Sequence, residues 1–245
     1  GRRGDSGVPQ LSTTDEGEVF SMENGMIIKK QELCFLLFCK GVKKCPGIFA
    51  VDGKQDAAQI LKALFQKGWL ENTGEHFRVR EPLAKLLGQM AKAETLVALY
   101  PGNPAREWTY LYPGEEIVAV QEVQQRKEAV RLFFIEKDQF QDFLREQGLT
   151  GEDDSWEALP YRDMEEILPQ TLDNRKELQA YPWISLLAVQ MDAKTGEKAG
   201  QTGVARLGIH RMLVEEDAMD ETRKTGPYRE SFLVSWLEEA LSGGR

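Results

Sequence analysis

The sequence predicts an α+β protein with two similar halves, each consisting of helices, an antiparallel strand meander and a closing helix around a central sheet. Three observations lead to this prediction: helical spacing of apolar residues before residue 93, a run of short strands after it, and a second occurrence of the same order. The 245 residues are 41% hydrophobic and 29% charged, which is ordinary for a globular protein and sufficient to bury such a core.

The first half, residues 22–148, opens with a predicted helical region. The apolar run within residues 30–40 favours a buried helix, and Asp56 is positioned to cap a second helix that ends at Gly68. A turn then predicts a hairpin, after which Pro82 opens a third helix. The order helix, helix, hairpin, helix is typical of a winged helix.

Four strands and a closing helix complete the first half. The strand segments are rich in β-branched and aromatic residues and are separated by turns: residues 96–100, 107–111, 117–123 and 130–135. Phe140, Phe143 and Leu144 share one face of the following helix, which ends at Gly148.

The second half, residues 149–245, is predicted to repeat this layout. An acidic segment and two short helical stretches precede a strand over residues 183–190 and one bent or two short strands over 203–214. The glycines of residues 196–203 suggest a mobile hairpin tip, and residues 215–226 an acidic loop. Residues 229–241 are predicted to form the last helix. Residues 1–21, rich in glycine, serine, threonine and charge, are predicted to be a flexible tail.

The side chains argue against an enzyme. His76 and His210 are the only histidines, and their positions in turn and strand patterns favour idle or structural roles. The spacing of Cys34, Cys39 and Cys45 matches neither a disulfide framework nor a zinc knuckle. Cys34 and Cys39 lie among leucine and phenylalanine, which predicts buried thiols in a reducing compartment. We expect a non-catalytic protein that needs no cofactor or metal.

Hydropathy and charge limit the possible cellular locations and binding partners of the protein. No apolar run is long enough to cross a bilayer and no signal-peptide pattern opens the chain, so we expect a cytoplasmic protein that does not bind membranes. Residues 22–92 carry 12 basic and 7 acidic residues, a net charge of +5, whereas residues 93–245 carry 17 basic and 29 acidic ones, a net charge of −12. The basic region keeps nucleic acid as an alternative partner.

The DNA-binding alternative assigns phosphate contacts to Lys62 and Lys67 in and after the second helix. The exposed positions of that helix include no arginine, and its remaining polar side chains offer little to read base edges. A winged-helix transcriptional regulator therefore stays the second hypothesis.

Alternating aromatic residues are the candidate protein-binding feature. Trp108, Tyr110 and Tyr112 recur at strand spacing and so project from one face of the sheet. Either this face packs against helices, or the rings form an exposed stripe of the kind that protein-binding hot spots favour. Under the second interpretation, Arg106, Trp108, Tyr110 and Tyr112 are partner-binding residues.

Four features recur in order over residues 30–242: an N-terminal helix, L-x-x-KGWL at 64–70, REPLAKLLGQMAKAETLVALY at 80–100, and a C-terminal helix ending in SWLEEAL at 235–241. In this order of elements the chain resembles the EspG family, the cytosolic chaperones of type VII (ESX) secretion. It implies two related halves around a central sheet with helical bundles. It also implies a chaperone or adaptor that recognises helical secretion substrates and keeps them soluble.

Overall fold

A nine-stranded antiparallel sheet lies at the centre of the protein. A computed structural model describes residues 25–46, 56–156, 166–172 and 174–243. The predicted tail, residues 1–21, and most of the first helical stretch predicted near residues 162–168 lie outside these ranges.

Eleven strands and six α-helices are present in the described residues. The strands are β1 (Met26–Lys29), β2 (Leu70–Asn72), β3 (Phe77–Val79), β4 (Thr95–Pro101), β5 (Thr109–Tyr112), β6 (Ile117–Glu122), β7 (Ala129–Ile135), β8 (Ile184–Asp192), β9 (Lys198–Leu207), β10 (His210–Asp217) and β11 (Arg223–Pro227). The helices are α1 (Lys30–Cys39), α2 (Ala57–Gln66), α3 (Leu83–Lys92), α4 (Phe140–Glu146), α5 (Arg175–Gln179) and α6 (Glu230–Leu241). No helix of the described residues is long and apolar enough to span a bilayer.

Two strand meanders lie side by side in the sheet. Its order is β1-β7-β6-β5-β4-β8-β9-β10-β11, with β2 and β3 as a separate hairpin. The meander β4–β7 is followed by α4, the meander β8–β11 is followed by α6, and β4 pairs with β8 where the two meet. The predicted fold class is confirmed. The division into halves at residues 148 and 149 remains a prediction.

Both faces of the sheet are buried, and each is covered by its own helices. Along β4, Leu96, Ala98 and Tyr100 point to the face that packs against α1, α2 and α3, here called the front face. Val97 and Leu99 point to the back face, which packs against α4 and α6. This alternation follows from the two-residue repeat of a strand, so a sheet with two helical layers needs apolar side chains at successive positions.

The second meander is longer than the sequence predicts. The residues predicted to be an acidic loop extend β10 to Asp217 and include β11, because Glu215 lies opposite Lys224 and Glu216 opposite Arg223. Opposite charges across neighbouring strands stabilise an acidic run that by itself resembles a loop. The short edge strand β1 was also missed, since its pairing partner β7 lies about a hundred residues away in the sequence.

The prediction of a hairpin tip over residues 196–203 is too long: Gly196 lies in the β8–β9 turn, whereas residues from Lys198 onward belong to β9. Gly200 and Gly203 are buried within β9. A Cβ atom on Gly203 would lie 2.4 Å from Cδ2 of Leu168, so only glycine leaves room for that side chain.

An ion pair between a buried carboxylate and a solvent-exposed ammonium joins the first two helices. The Glu32 side chain, 1% exposed, accepts a hydrogen bond from the Lys29 backbone N–H at the start of α1. Its two carboxylate oxygens lie 2.7 and 2.9 Å from Nζ of Lys67, directly after α2. Because Glu32 is shielded from water, the Lys67 ammonium is its principal counter-charge.

We expect Lys67→Met to lower the free energy of unfolding by about 1–3 kcal/mol, because it leaves the buried Glu32 carboxylate without its counter-charge. Lys62→Met is the matched control: Lys62 is exposed on α2, and its loss should change stability by about 0.5 kcal/mol or less. Urea unfolding of both variants measures the difference. Equal midpoints would show that the pair contributes nothing to stability.

Candidate protein-binding surface

The aromatic stripe predicted to bind a partner is buried. Trp108, Tyr110 and Tyr112 are 5%, 1% and 3% exposed and belong to the front-face core. Tyr100 on β4 packs edge-on against two of these rings, with centroids 4.3 Å from Trp108 and 6.1 Å from Tyr110. The exposed-stripe interpretation is therefore wrong for this conformation, and the alternative, packing beneath helices, describes the rings.

Arg175 of α5 covers the edge of the stripe. Its guanidinium lies 5.1 Å from the Trp108 ring centroid, donates to Oε2 of Glu122 at 2.6 Å and donates to the backbone oxygen of Arg106 at 3.0 Å. Strand spacing showed that the rings share a face, but α5 comes from a segment some 65 residues later. A local pattern contains no information about such a cover.

Loss of solvation raises the pKa of Tyr100, Tyr110 and Tyr112 above the ordinary tyrosine value, which is consistent with their burial. The rings therefore contribute packing to the sheet. Arg106 itself is exposed, with its guanidinium against Gly148, and its role in partner binding remains a prediction.

Five large apolar side chains of the described residues are exposed instead: Phe38, Phe77, Ile209, Met219 and Phe232. Ile209 is 91% exposed and occupies the tip of the β9–β10 hairpin. Leu207 pairs with His210 at the end of the ladder, and Gly208 has a φ of +64°, which permits a tight two-residue turn. The sequence signal was a glycine followed by an apolar residue between two alternating runs.

The hairpin is braced below its tip. Oδ2 of Asp154 accepts the Arg211 backbone N–H at 2.7 Å, and Oδ1 lies 3.3 Å from Nδ1 of His210. Nε1 of Trp156 donates to the Arg211 backbone oxygen at 3.0 Å. The hydrogen bond from Arg211 holds the pKa of Asp154 below its usual range. The segment that contains Asp154 and Trp156 thus fixes the stem from which Ile209 projects.

Positive charge flanks the projecting isoleucine. Arg206 is exposed on β9 directly opposite Arg211 on β10. The Arg211 guanidinium lies 4.6 Å from the Tyr228 ring and also donates to the Glu152 backbone oxygen, which leaves Arg206 as the more available cation. We call residues 206–210 the tip surface. It consists of the exposed Ile209 side chain with the basic Arg206 beside it, in the acidic part of the chain, residues 93–245.

The two histidines have different surroundings. His76 is exposed in the β2–β3 hairpin, and His210 contacts Asp154 in the stem of the tip surface. Within residues 25–46, 56–156, 166–172 and 174–243, no group of three or more His, Cys, Asp or Glu side chains is arranged to hold a metal ion.

The basic residues of the DNA-binding alternative differ in availability. Lys62 is exposed on α2, whereas Lys67 is paired with Glu32 and lies 5.0 Å from the Trp69 ring. A lysine held by a buried carboxylate is poorly placed to neutralise a phosphate. DNA contact at either residue stays a prediction.

Comparisons with known proteins agree at the level of fold. No protein-family model matches the sequence, and no curated protein matches it. The architecture is nevertheless an EspG-like α+β fold. One solved structure with this fold is the Mycobacterium tuberculosis type VII secretion system chaperone EspG5 in complex with the PE25–PPE41 dimer. Its TM-score is 0.54 with 10% sequence identity, over 89% of this chain and 95% of that chain. The resemblance predicted from element order is confirmed for the fold.

We expect Trp108→Ala to destabilise the protein by about 3–5 kcal/mol, because a buried ring that contacts Tyr100 and Arg175 is removed. Phe232→Ala, which truncates an exposed ring on α6, should cost about 1 kcal/mol or less. Chemical denaturation followed by far-ultraviolet circular dichroism measures both. A Trp108 variant as stable as the Phe232 variant would contradict the burial of the Trp108 ring.

We expect Asp154→Ala to accelerate hydrogen exchange at the Arg211 amide, because the variant lacks the carboxylate that accepts its hydrogen bond. In the unaltered protein, the pKa of Asp154 is lowered, so its carboxylate stays ionised at and above the ordinary aspartate range and the Arg211 amide stays protected there. The protection is lost as pH falls through the lowered pKa and the carboxylate is protonated. Exchange mass spectrometry at several pH values measures it, with Asp138→Ala as an exposed control. Unchanged protection in the Asp154 variant would contradict the brace.

Proposed function

We propose that this chain is a non-catalytic, cytosolic chaperone or adaptor that binds a helical secretion substrate. The observation that carries the proposal is the EspG-like fold across 89% of the chain. EspG5, which has this fold, is a type VII secretion chaperone observed in complex with a protein dimer. Protein binding fits a chain whose histidines and cysteines form no predicted catalytic or metal-binding pattern.

We propose the tip surface as the part that contacts the substrate. Ile209 is almost fully exposed on a hairpin whose stem is braced by Asp154 and Trp156, so little conformational entropy is lost when it enters a pocket. The basic Arg206 beside it favours a partner with an apolar groove near acidic side chains. Trp108, Tyr110 and Tyr112 are buried and support the sheet instead, and Arg106 remains an additional candidate contact.

The winged-helix alternative is supported by element order and by charge. α1, α2, the β2–β3 hairpin and α3 follow one another in a region with a net charge of +5. The pairing of Lys67 with Glu32 weakens it, because one of its two proposed phosphate contacts has an internal partner.

The function is tested by affinity purification of the full chain from its native cytosol, with chemical cross-linking and mass spectrometry. Ile209→Asp is compared with Met219→Asp, which alters a similarly exposed side chain at the β10–β11 turn. We expect a helical protein to be retained in stoichiometric amount by the unaltered and Met219 chains, and about tenfold less by the Ile209 variant, as for loss of an interface hot spot.

The outcomes separate the function from its surface. Equal retention by both variants would leave the chaperone role in place and move the contact elsewhere. Absence of a stoichiometric protein, together with salt-sensitive retention of duplex DNA that Lys62→Met weakens, would replace the proposed function by the DNA-binding alternative.

A further inference from the structure

An exposed aromatic ring and three lysines lie together at the end of α1. Phe38 is 62% exposed, and Lys40, Lys43 and Lys44 are exposed in the turn that follows the helix. The ion pairs among the described residues include none of these three lysines. We call Phe38, Lys40, Lys43 and Lys44 the α1-end patch.

We propose that the α1-end patch binds an acidic amphipathic helix of a partner protein. The proposal depends neither on the tip surface nor on the secretion role, because it rests on the charge and the exposure of a different part of the chain.

The turn that presents the patch has a defined conformation. The Val42 N–H donates to the Leu37 oxygen at 3.0 Å, and the Gly41 N–H donates to the Phe38 oxygen at 2.9 Å. Gly41 has a φ of +86°, which is the left-handed conformation that ends many helices. These bonds fix the direction in which the chain leaves α1.

The chain is held again directly after the lysines. Cys45 is 5% exposed within the front-face core, and Pro46 packs against the β8–β9 turn. A Cβ atom on Gly196 in that turn would lie 3.1 Å from Cβ of Pro46. Because Lys43 and Lys44 lie between two fixed points, little backbone entropy is lost when a partner binds them.

The exposed ring continues an apolar stripe. Phe35 lies three residues before Phe38 on α1 and therefore on the same side of the helix. Phe35 and Val42 are partly buried and pack against the front-face core, whereas Phe38 is exposed. An apolar stripe at helical spacing matches the apolar face of a second helix.

The charge around the stripe selects an acidic partner. Residues 25–46 carry five lysines and one glutamate, a net charge of +4. The glutamate, Glu32, is buried and paired with Lys67, so it does not compensate the exposed lysines. The chain as a whole has a net charge of −9, but charges farther away than about 8 Å are screened at physiological ionic strength. The local lysines therefore decide which charges bind here.

A helix uses more of the patch than the other anionic partners do. Single-stranded nucleic acid is bound by lysines together with several stacked rings, and the patch has one exposed ring. An anionic membrane attracts lysines and stabilises inserted apolar side chains, yet Phe35 and Val42 are partly occupied by the core. An amphipathic helix pairs its carboxylates with the lysines and packs its apolar face along the stripe.

The test measures fluorescence anisotropy of labelled peptides with the full chain. The first probe is a synthetic peptide of leucine and glutamate, about five helical turns long, with all leucines on one face. The second has the same composition in an order without an apolar face, and the third has lysine in place of glutamate. We expect the first peptide to bind most tightly and to weaken with salt, and the third not to bind.

Variants of the patch locate the binding. Phe38→Ser, and the double change Lys43→Gln with Lys44→Gln, are each expected to weaken binding of the first peptide about tenfold. The matched controls are Phe232→Ser, which alters a ring 59% exposed on α6, and Lys127→Gln with Lys137→Gln, which removes two exposed lysines elsewhere. All altered side chains are exposed, and circular dichroism verifies that each variant is folded.

Three results would overturn the proposal. One is no binding of the first peptide at low salt, and another is binding that the patch variants and the controls weaken equally. The third is a single-stranded oligonucleotide or an anionic phospholipid vesicle that binds through Phe38 and the lysines when the first peptide does not. That result would assign the patch to nucleic acid or to a membrane surface.

Discussion

The pairing of β4 with β8 governs the architecture. From Thr95 opposite Asp192 to Pro101 opposite Leu186, the two strands run antiparallel and join the meanders into one sheet. A sheet of nine strands with apolar side chains on both faces must be covered twice, and the front and back helical layers provide these covers. The burial of β4 and β8, including every residue of β4 from Leu96 to Pro101, follows from their central position.

Buried polar groups in this core are used to attach helices. Nε2 of Gln190 on β8 donates to the Ala240 backbone oxygen at 3.0 Å, which satisfies a carbonyl in the last turn of α6. Glu32 serves α1 and the end of α2 in the same way, through one backbone N–H and one ammonium. These contacts position each helix on its face more specifically than apolar packing alone.

The same constraint explains where a partner can bind. A sheet covered on both faces offers no open platform, so recognition is left to edges, loops and hairpin tips. The edge strand β11 carries Arg223, Lys224 and Pro227, residues that discourage pairing with another strand. The tip of the β9–β10 hairpin carries the exposed Ile209 on a braced stem. The shift of the proposed contact from Trp108 to Ile209 is thus a consequence of the double cover.

Local patterns were sufficient for α1, α2, α3 and α6 and for the first meander, because helical spacing, the Asp56 cap and strand alternation depend on neighbours in the chain. The order of these elements also led to the EspG-like fold. Long-range pairing decided the rest: β11 is held by β10 through opposite charges, and Arg175 buries Trp108 from a distant segment. Cys34 is buried as predicted, whereas Cys39 is exposed at the end of α1, because the buried face of that helix carries Leu33, Leu36 and Leu37. Burial and strand pairing depend on segments that are distant in the sequence and come into contact only on folding. A local stretch of sequence therefore cannot predict them.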